Sequence, residues 1–206
     1  MSRYLITHSL LASWLWAMSE NPYEDLTTEN DPMEEFMTVL RREPTPTSEA
    51  MQNGINFEDM VTRIVTGHSS PDDLQDKWID AAKQVAGFVK GGRLQFKASR
   101  KARINGMDFV LYGRLDALKA GEIMDIKFSK SYDRGKYFDS TQHPMYMELI
   151  PEAREFSYII SNGRDVWTET YRRDETRSIC PIISDFVDWL NAVDLMPVYQ
   201  EHWGSK

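Results

Sequence analysis

One cysteine, Cys180, stands in 206 residues. That excludes an internal disulfide framework and any zinc or iron–sulfur cluster built on cysteines. No apolar run reaches transmembrane length, and there is no internal repeat or low-complexity tract. The start, "MSRYLITHSLLASWLWAM", has a basic residue before an apolar stretch. Thr7, His8, Ser9 and Ser13 break that stretch, and no small-residue cleavage site follows. Leu10, Leu11, Trp14, Leu15 and Met18 share one helix face, with Ser9 as its N-cap, so an amphipathic helix is expected there rather than a secretory signal. A cytoplasmic protein with no membrane partner is the expectation.

Positive charge is also scarce overall: the net charge is −8. Its distribution is uneven. Residues 1–82 carry 5 Lys/Arg against 15 Asp/Glu, and residues 137–206 carry 6 against 12. Residues 83–136 carry 13 against 5. A basic block of this kind is the footprint of a phosphate-binding face, or simply a solvated strand surface. The hydrophobic fraction of 41% and six Trp fit a folded chain with a sizeable core. The tryptophans read as core anchors, with any exposed one able to stack on a base.

Along the chain, residues 20–48 are acidic and proline-rich around a short helix near Met33–Arg42. "SEAMQNGINFEDMVTRIV" reads as a helix capped near Thr47 or Ser48, with Met51, Ile55, Met60, Ile64 and Val65 as its apolar positions. Gly54 inside it marks a close approach. "SSPDDLQDKWIDAAKQVAGFVKGG" reads as a helix with Ser70 as cap, Pro71 in its first position and Gly91-Gly92 at its end. Three strands follow, about 93–103, 109–118 and 122–129. A helix capped by Ser140 or Thr141 comes next, then a hairpin about Asn162-Gly163 and a last helix from Ile179 to about Ala192. The expected fold is α/β, a mixed central sheet flanked by helices. One domain spans 1–206, with a helical N-terminal part (1–92) and a mixed-sheet catalytic part (93–206).

The chemistry lies in "GRLDALKAGEIMDIKFS", residues 113–129. Folding this hairpin about Ala120-Gly121 pairs Lys119 with Glu122, Leu118 with Ile123, Ala117 with Met124, and then Asp116 with Asp125. Like charges directly opposite each other on a sheet are destabilising. Lys127 shares a face with Asp125, while Ile126 points the other way and leaves its carbonyl near the acids. Two carboxylates, a carbonyl and water form an oxygen-rich site suited to Mg²⁺ or Mn²⁺. Such a cation beside a lysine equips a phosphodiesterase.

"GRLD", "MDIK" and the later "QHPMY" (Gln142–Tyr146) together resemble the nuclease core named for its PD-(D/E)xK motif, and within it the RecB-like and phage-exonuclease branch. Leu115 replaces the proline of that motif. The resemblance implies a restriction-endonuclease-like αβββαβ core and metal-dependent hydrolysis of DNA, as by an exonuclease of phage or bacterial recombination and repair. It implies that Asp116 and Asp125 are catalytic metal ligands and that Ile126 lends a carbonyl. Lys127 would orient or activate the attacking water, and Gln142 and Tyr146 would position the DNA strand. Glu58 falls where related enzymes carry a further ligand, with Asp59 the weaker choice.

Each residue also has a plainer reading. Glu58 can be a solvated helix residue, Gln142 and Tyr146 can pack the core, and His143 can begin a helix. Two other functions remain beside the exonuclease: a non-cleaving module that binds DNA or a partner protein, and a structure-specific endonuclease subunit. A homo-oligomer or a partner protein of a recombination system is compatible with either.

Overall fold

The computed structural model describes residues 3–19, 31–68 and 77–204. The elements, in order, are β1 (Arg3–Ile6), α1 (His8–Met18), α2 (Pro32–Leu40), α3 (Glu49–Thr66), α4 (Ile79–Val89), β2 (Arg93–Ile104), β3 (Met107–Lys119), β4 (Glu122–Phe128), α5 (Gln142–Leu149), β5 (Glu155–Ser161), β6 (Val166–Arg172), α6 (Cys180–Ala192) and α7 (Met196–Trp203). The fold is mixed α/β. A six-stranded sheet runs β1-β3-β4-β5-β6, with β2 on the other edge of β3. Two pairings are parallel, β1 with β3 and β4 with β5, and the rest are antiparallel.

Local chemistry accounts for most boundaries. Asn105-Gly106 and Ala120-Gly121 all have positive φ, which gives two-residue turns whose twist matches that of the flanking strands. Ser48 caps α3 through the Met51 amide. Asp31 caps α2, with Pro32 in its first turn. Helices cover the sheet through two apolar clusters. One joins α1, α2, α5, α6 and α7 to Ile6, Phe109, Leu111, Leu115 and Phe156. The other joins Phe57, Met60 and Val61 of α3 and most of α4 to Ala117, Met124 and Ile159. No helix among the described residues is long and apolar enough to cross a membrane.

Several expectations are corrected. The segment up to residue 92 is not wholly helical: Arg3–Ile6 is a sheet strand, too short to show alternation, and its partner lies about a hundred residues away. Thr7 caps α1, accepting the Leu10 amide at 3.3 Å, so Ser9 lies inside the helix. Met51 and Ile55 are exposed, and the buried face of α3 is Phe57, Met60 and Val61. A Cβ on Gly54 would meet nothing within 4 Å. Helix α7 was not expected; Tyr199 and Trp203 bury it against β1, α2 and α6, with the Trp203 indole donating to the Leu40 carbonyl. Of the tryptophans, Trp16 stands out in solvent. The expected Ser70 cap and Pro71 lie outside the described residues.

The feature that makes the site is the far edge of β3. Asp108–Leu111 pair there with β1, and Ala117–Lys119 pair with β4. Between them, residues 112–116 have β2 on one edge and no strand on the other. The sheet forks at this point. Helix α5 crosses the fork so closely that a Cβ on Gly113 would sit 2.5 Å from Tyr146 Cε1 and 2.9 Å from Leu149 Cδ1. Gly113→Ala is therefore expected to destabilise the chain by about 1–3 kcal/mol through overpacking, measured by urea denaturation. An unchanged midpoint would mean that α5 is not held against β3.

Candidate active site

The cross-strand register holds for Lys119–Glu122, Leu118–Ile123 and Ala117–Met124, and then the ladder stops. Asp116 and Asp125 do not continue it as a pair. The Asp116 carboxylate instead accepts the Ile126 amide at 2.8 Å, taking the place of the strand that has diverged. Asp125 runs on in β4 opposite Tyr158 of β5 and is 3% exposed. Its Oδ1 accepts the Gln142 side-chain amide at 2.5 Å, and its Oδ2 is ion-paired with the Lys127 ammonium at 2.8 Å. Lys127 stays partly open to solvent, above the ring of Tyr158. Ile126 turns its side chain toward the α3–α4 cluster.

On β2, opposite Asp116, stands Gln95, which has φ +50 and drops out of the regular pairing. A non-glycine residue held there stores strain of the kind that gathers at functional sites. The Gln95 side-chain amide donates to Glu58 of α3. At Gln95 and Asp116 both strands pass from one core cluster to the other: Phe96 and Leu115 pack in the first, Leu94 and Ala117 in the second. Glu58 thus reaches the site from α3. Asp59 points away, paired with Arg63 at 2.7 Å on the exposed side.

Electrostatics shows how crowded the acids are. Burial, then the charges of Asp125 and Glu58, push the Asp116 carboxyl well above the ordinary carboxylate range. The Ile126 amide and the Lys127 ammonium oppose that shift without cancelling it. The donors at this point are oxygens: two carboxylates, with Glu58 nearby. Among the described residues no three His, Cys, Asp or Glu side chains stand close enough to hold one ion together. A hard cation such as Mg²⁺ is commonly held by one or two carboxylates and water, so Asp116 and Asp125 fit that group, whereas zinc would ask for nitrogen or sulfur.

Gln142 and Tyr146, expected along the DNA strand, are 5% and 3% exposed. Gln142 fixes Asp125, and the Tyr146 hydroxyl donates to the Arg114 carbonyl at 3.0 Å, in the gap of the fork. Both side chains are turned into the fold at this point. His143 is buried too, stacked on Tyr171 with ring centres 4.0 Å apart.

Two further residues were not foreseen. His8, the first residue of α1, meets Tyr146 edge to face at 5.4 Å, and burial followed by the charge of Lys127 lowers it to about 3. It follows a strand that the sequence pattern did not disclose, so nothing placed it here. Glu169 of β6 is buried and accepts from the Tyr132 and Tyr171 hydroxyls and from the Gly135 and Tyr137 amides. A lone Glu in "DVWTETYR" reads as an ordinary outward strand residue.

No family model and no curated protein matches the chain. Among solved structures it is similar to the crystal structure of SSO0001, with a TM-score of 0.51 at 12% identity over 92% of this chain and 77% of that one. At that identity the likeness is one of fold.

The raised Asp116 carboxyl has a measurable consequence. A carboxyl whose folded pKa exceeds its unfolded value favours folding while protonated. That stability is complete below the unfolded pKa and is lost as pH rises through the folded one. Asp116→Asn cannot ionise and keeps it. In EDTA at neutral pH the variant is expected to melt about 2–4 °C above wild type, a gain of about 1 kcal/mol for a chain of this length. The gap should close in acid, and equal melting at neutral pH would contradict the crowding.

Proposed function

We propose that the chain is a metal-dependent deoxyribonuclease that hydrolyses phosphodiester bonds. The reading rests on the two carboxylates brought to the sheet fork beside the Lys127 ammonium. The order α4-β2-β3-β4-α5-β5 supports the restriction-endonuclease-like αβββαβ core that the motif resemblance implies. Asp116 and Asp125, with the Ile126 carbonyl, would hold Mg²⁺ or Mn²⁺, and Glu58 would join them once released from Gln95. When bound there, the cation supplies positive charge beside the phosphate and acidifies water.

The chain's own groups have distinct parts. Gln142 fixes the Asp125 carboxylate in one orientation. Lys127, anchored by Asp125 and still partly exposed, is placed to hold a phosphate oxygen and to orient the attacking water. The developing negative charge on the phosphate falls under the same ammonium. His8, uncharged at neutral pH, adds no competing positive charge.

DNA as the substrate draws support from the outward face of β2 and β3. Lys97 and Arg114 are direct cross-strand neighbours, both exposed and, among the described residues, without an ion pair. Like charges so placed repel unless something negative lies over them, and a phosphate backbone would do so. Lys101 extends the line along β2. An exonuclease acting in the cytoplasm in phage or bacterial recombination or repair, alone or with a partner protein or further copies of itself, is the setting proposed.

The test is cleavage of an end-labelled linear duplex and a closed circle with Mg²⁺, Mn²⁺ or EDTA. Metal-dependent loss of the linear substrate is expected, falling at least about 100-fold in Lys127→Ala and Asp125→Ala. Cutting of the circle would point to an endonuclease. Intact substrate with DNA still bound would leave a non-cleaving binding module.

A further inference from the structure

The segment joining β4 to α5, residues 129–141, leaves the site two residues after Lys127 and returns to it at Gln142. Its shape is fixed from below by Glu169. That carboxylate accepts four hydrogen bonds, three of them from this segment: the Tyr132 hydroxyl at 2.7 Å, the Gly135 amide at 3.2 Å and the Tyr137 amide at 3.2 Å. Burial works against the Glu169 charge, but these donors and Tyr171 hold its carboxyl below the usual range. Three tight turns follow one another, Lys136 to Asp133, Phe138 to Gly135 and Ser140 to Tyr137. The Tyr137 ring stacks on Tyr158 with centres 4.3 Å apart. Tyr137 also senses Asp125, which after burial is the main cause of its phenol being pushed up to about 12.

The next residue is Phe138, and it is 69% exposed, the most exposed large apolar side chain among the described residues. A segment braced by Glu169, with Tyr137 packed toward Asp125 and the next ring turned outward, is preorganisation for a contact. The surroundings favour an anionic partner. Lys130, Arg134 and Lys136 are exposed on the same segment, and the Arg177 guanidinium donates to the Asp139 carbonyl. Against the three cations of this segment stand its two acids, Asp133 and Asp139, with the Glu169 carboxylate beneath it.

We propose that Phe138 stacks on the base next to the scissile phosphate of an unpaired nucleic-acid strand, so that the site selects single strands or frayed ends over closed duplex. The inference rests on the nuclease reading for the position of the phosphate. Bases within a duplex have both faces covered, whereas an unpaired base offers a face to a fixed aromatic ring. Lys130, Arg134 and Lys136 would follow the backbone on either side, without reading sequence. Stacking requires only a π-face, so a preference among bases is not expected.

The test uses the full chain carrying Asp116→Asn, so that substrate survives, and a single-stranded oligothymidine with one 2-aminopurine. Quenching of the 2-aminopurine on binding is expected. Phe138→Ala should abolish the quenching and weaken single-strand binding about 5–150-fold, the range of one lost base stack, while Phe138→Trp restores both. Affinity for a closed hairpin duplex should be unchanged in all three. Equal single-strand affinity and quenching in Phe138→Ala would overturn the proposal. So would a change confined to oligomeric state in sedimentation, which would make Phe138 a contact between copies. Binding is read here without cleavage, so failure of the wild type to hydrolyse DNA would sink the nuclease reading alone. Loss of stacking in an active enzyme would sink this one alone.

Discussion

Between residues 112 and 116 the far edge of β3 has no strand beside it, and the free backbone groups there need partners. A buried peptide group without a hydrogen bond is costly, so a fork in a sheet survives only where side chains fill in. Two do so here. The Asp116 carboxylate takes the Ile126 amide, and the Tyr146 hydroxyl gives to the Arg114 carbonyl. The first of these interactions carries a charge into the gap. The divergence of β4 then sets Asp125 and Lys127 just across from it, on a strand buried against β5. Architecture and chemistry share one cause: the fork cannot be closed without removing the acid, and the acid is held by the fork.

The same arrangement carries a cost that the rest of the molecule offsets. Asp116 is half-buried, with Asp125 and Glu58 close enough to disfavour its charge, and one lysine does not balance three acids. Gln95 bends into a left-handed backbone conformation to meet Glu58. Sites that strain their scaffold in this way are typically where function is placed, and the surrounding packing must supply the stability. Around this one, Tyr146, Leu149, Leu115 and Ala117 are almost wholly buried, and the two apolar clusters meet along β3 and β4.

Much of this could be read from residue order. The hairpin register was legible because Ala120-Gly121 admits a two-residue turn and the flanking residues alternate. The acids and the lysine were legible because D-x-K on a strand following G-R-L-D is a distinctive spacing. The point where the ladder stops was not legible, since it depends on β1 occupying the same edge of β3, and a four-residue strand gives no periodic signal. For the same reason His8 was missed. On α3, Met51 and Ile55 have the spacing of a buried stripe, yet they face solvent, so periodicity alone misassigned the face. Gln142 and Tyr146 lie one turn apart, as the motif requires, but spacing did not disclose that both are buried, one on the Asp125 carboxylate and the other on the Arg114 carbonyl. Glu169 gave no signal because three of its four partners come from a loop more than thirty residues earlier.

The central claim is that the charge crowded at the fork is there to hold a divalent cation. Calorimetric titration of Mn²⁺ into the wild type, Asp116→Asn and Asp125→Asn tests it without relying on any substrate. Saturable binding by the wild type that both substitutions abolish is the predicted result. Equal binding by all three proteins, or none by the wild type at millimolar Mn²⁺, would contradict the account.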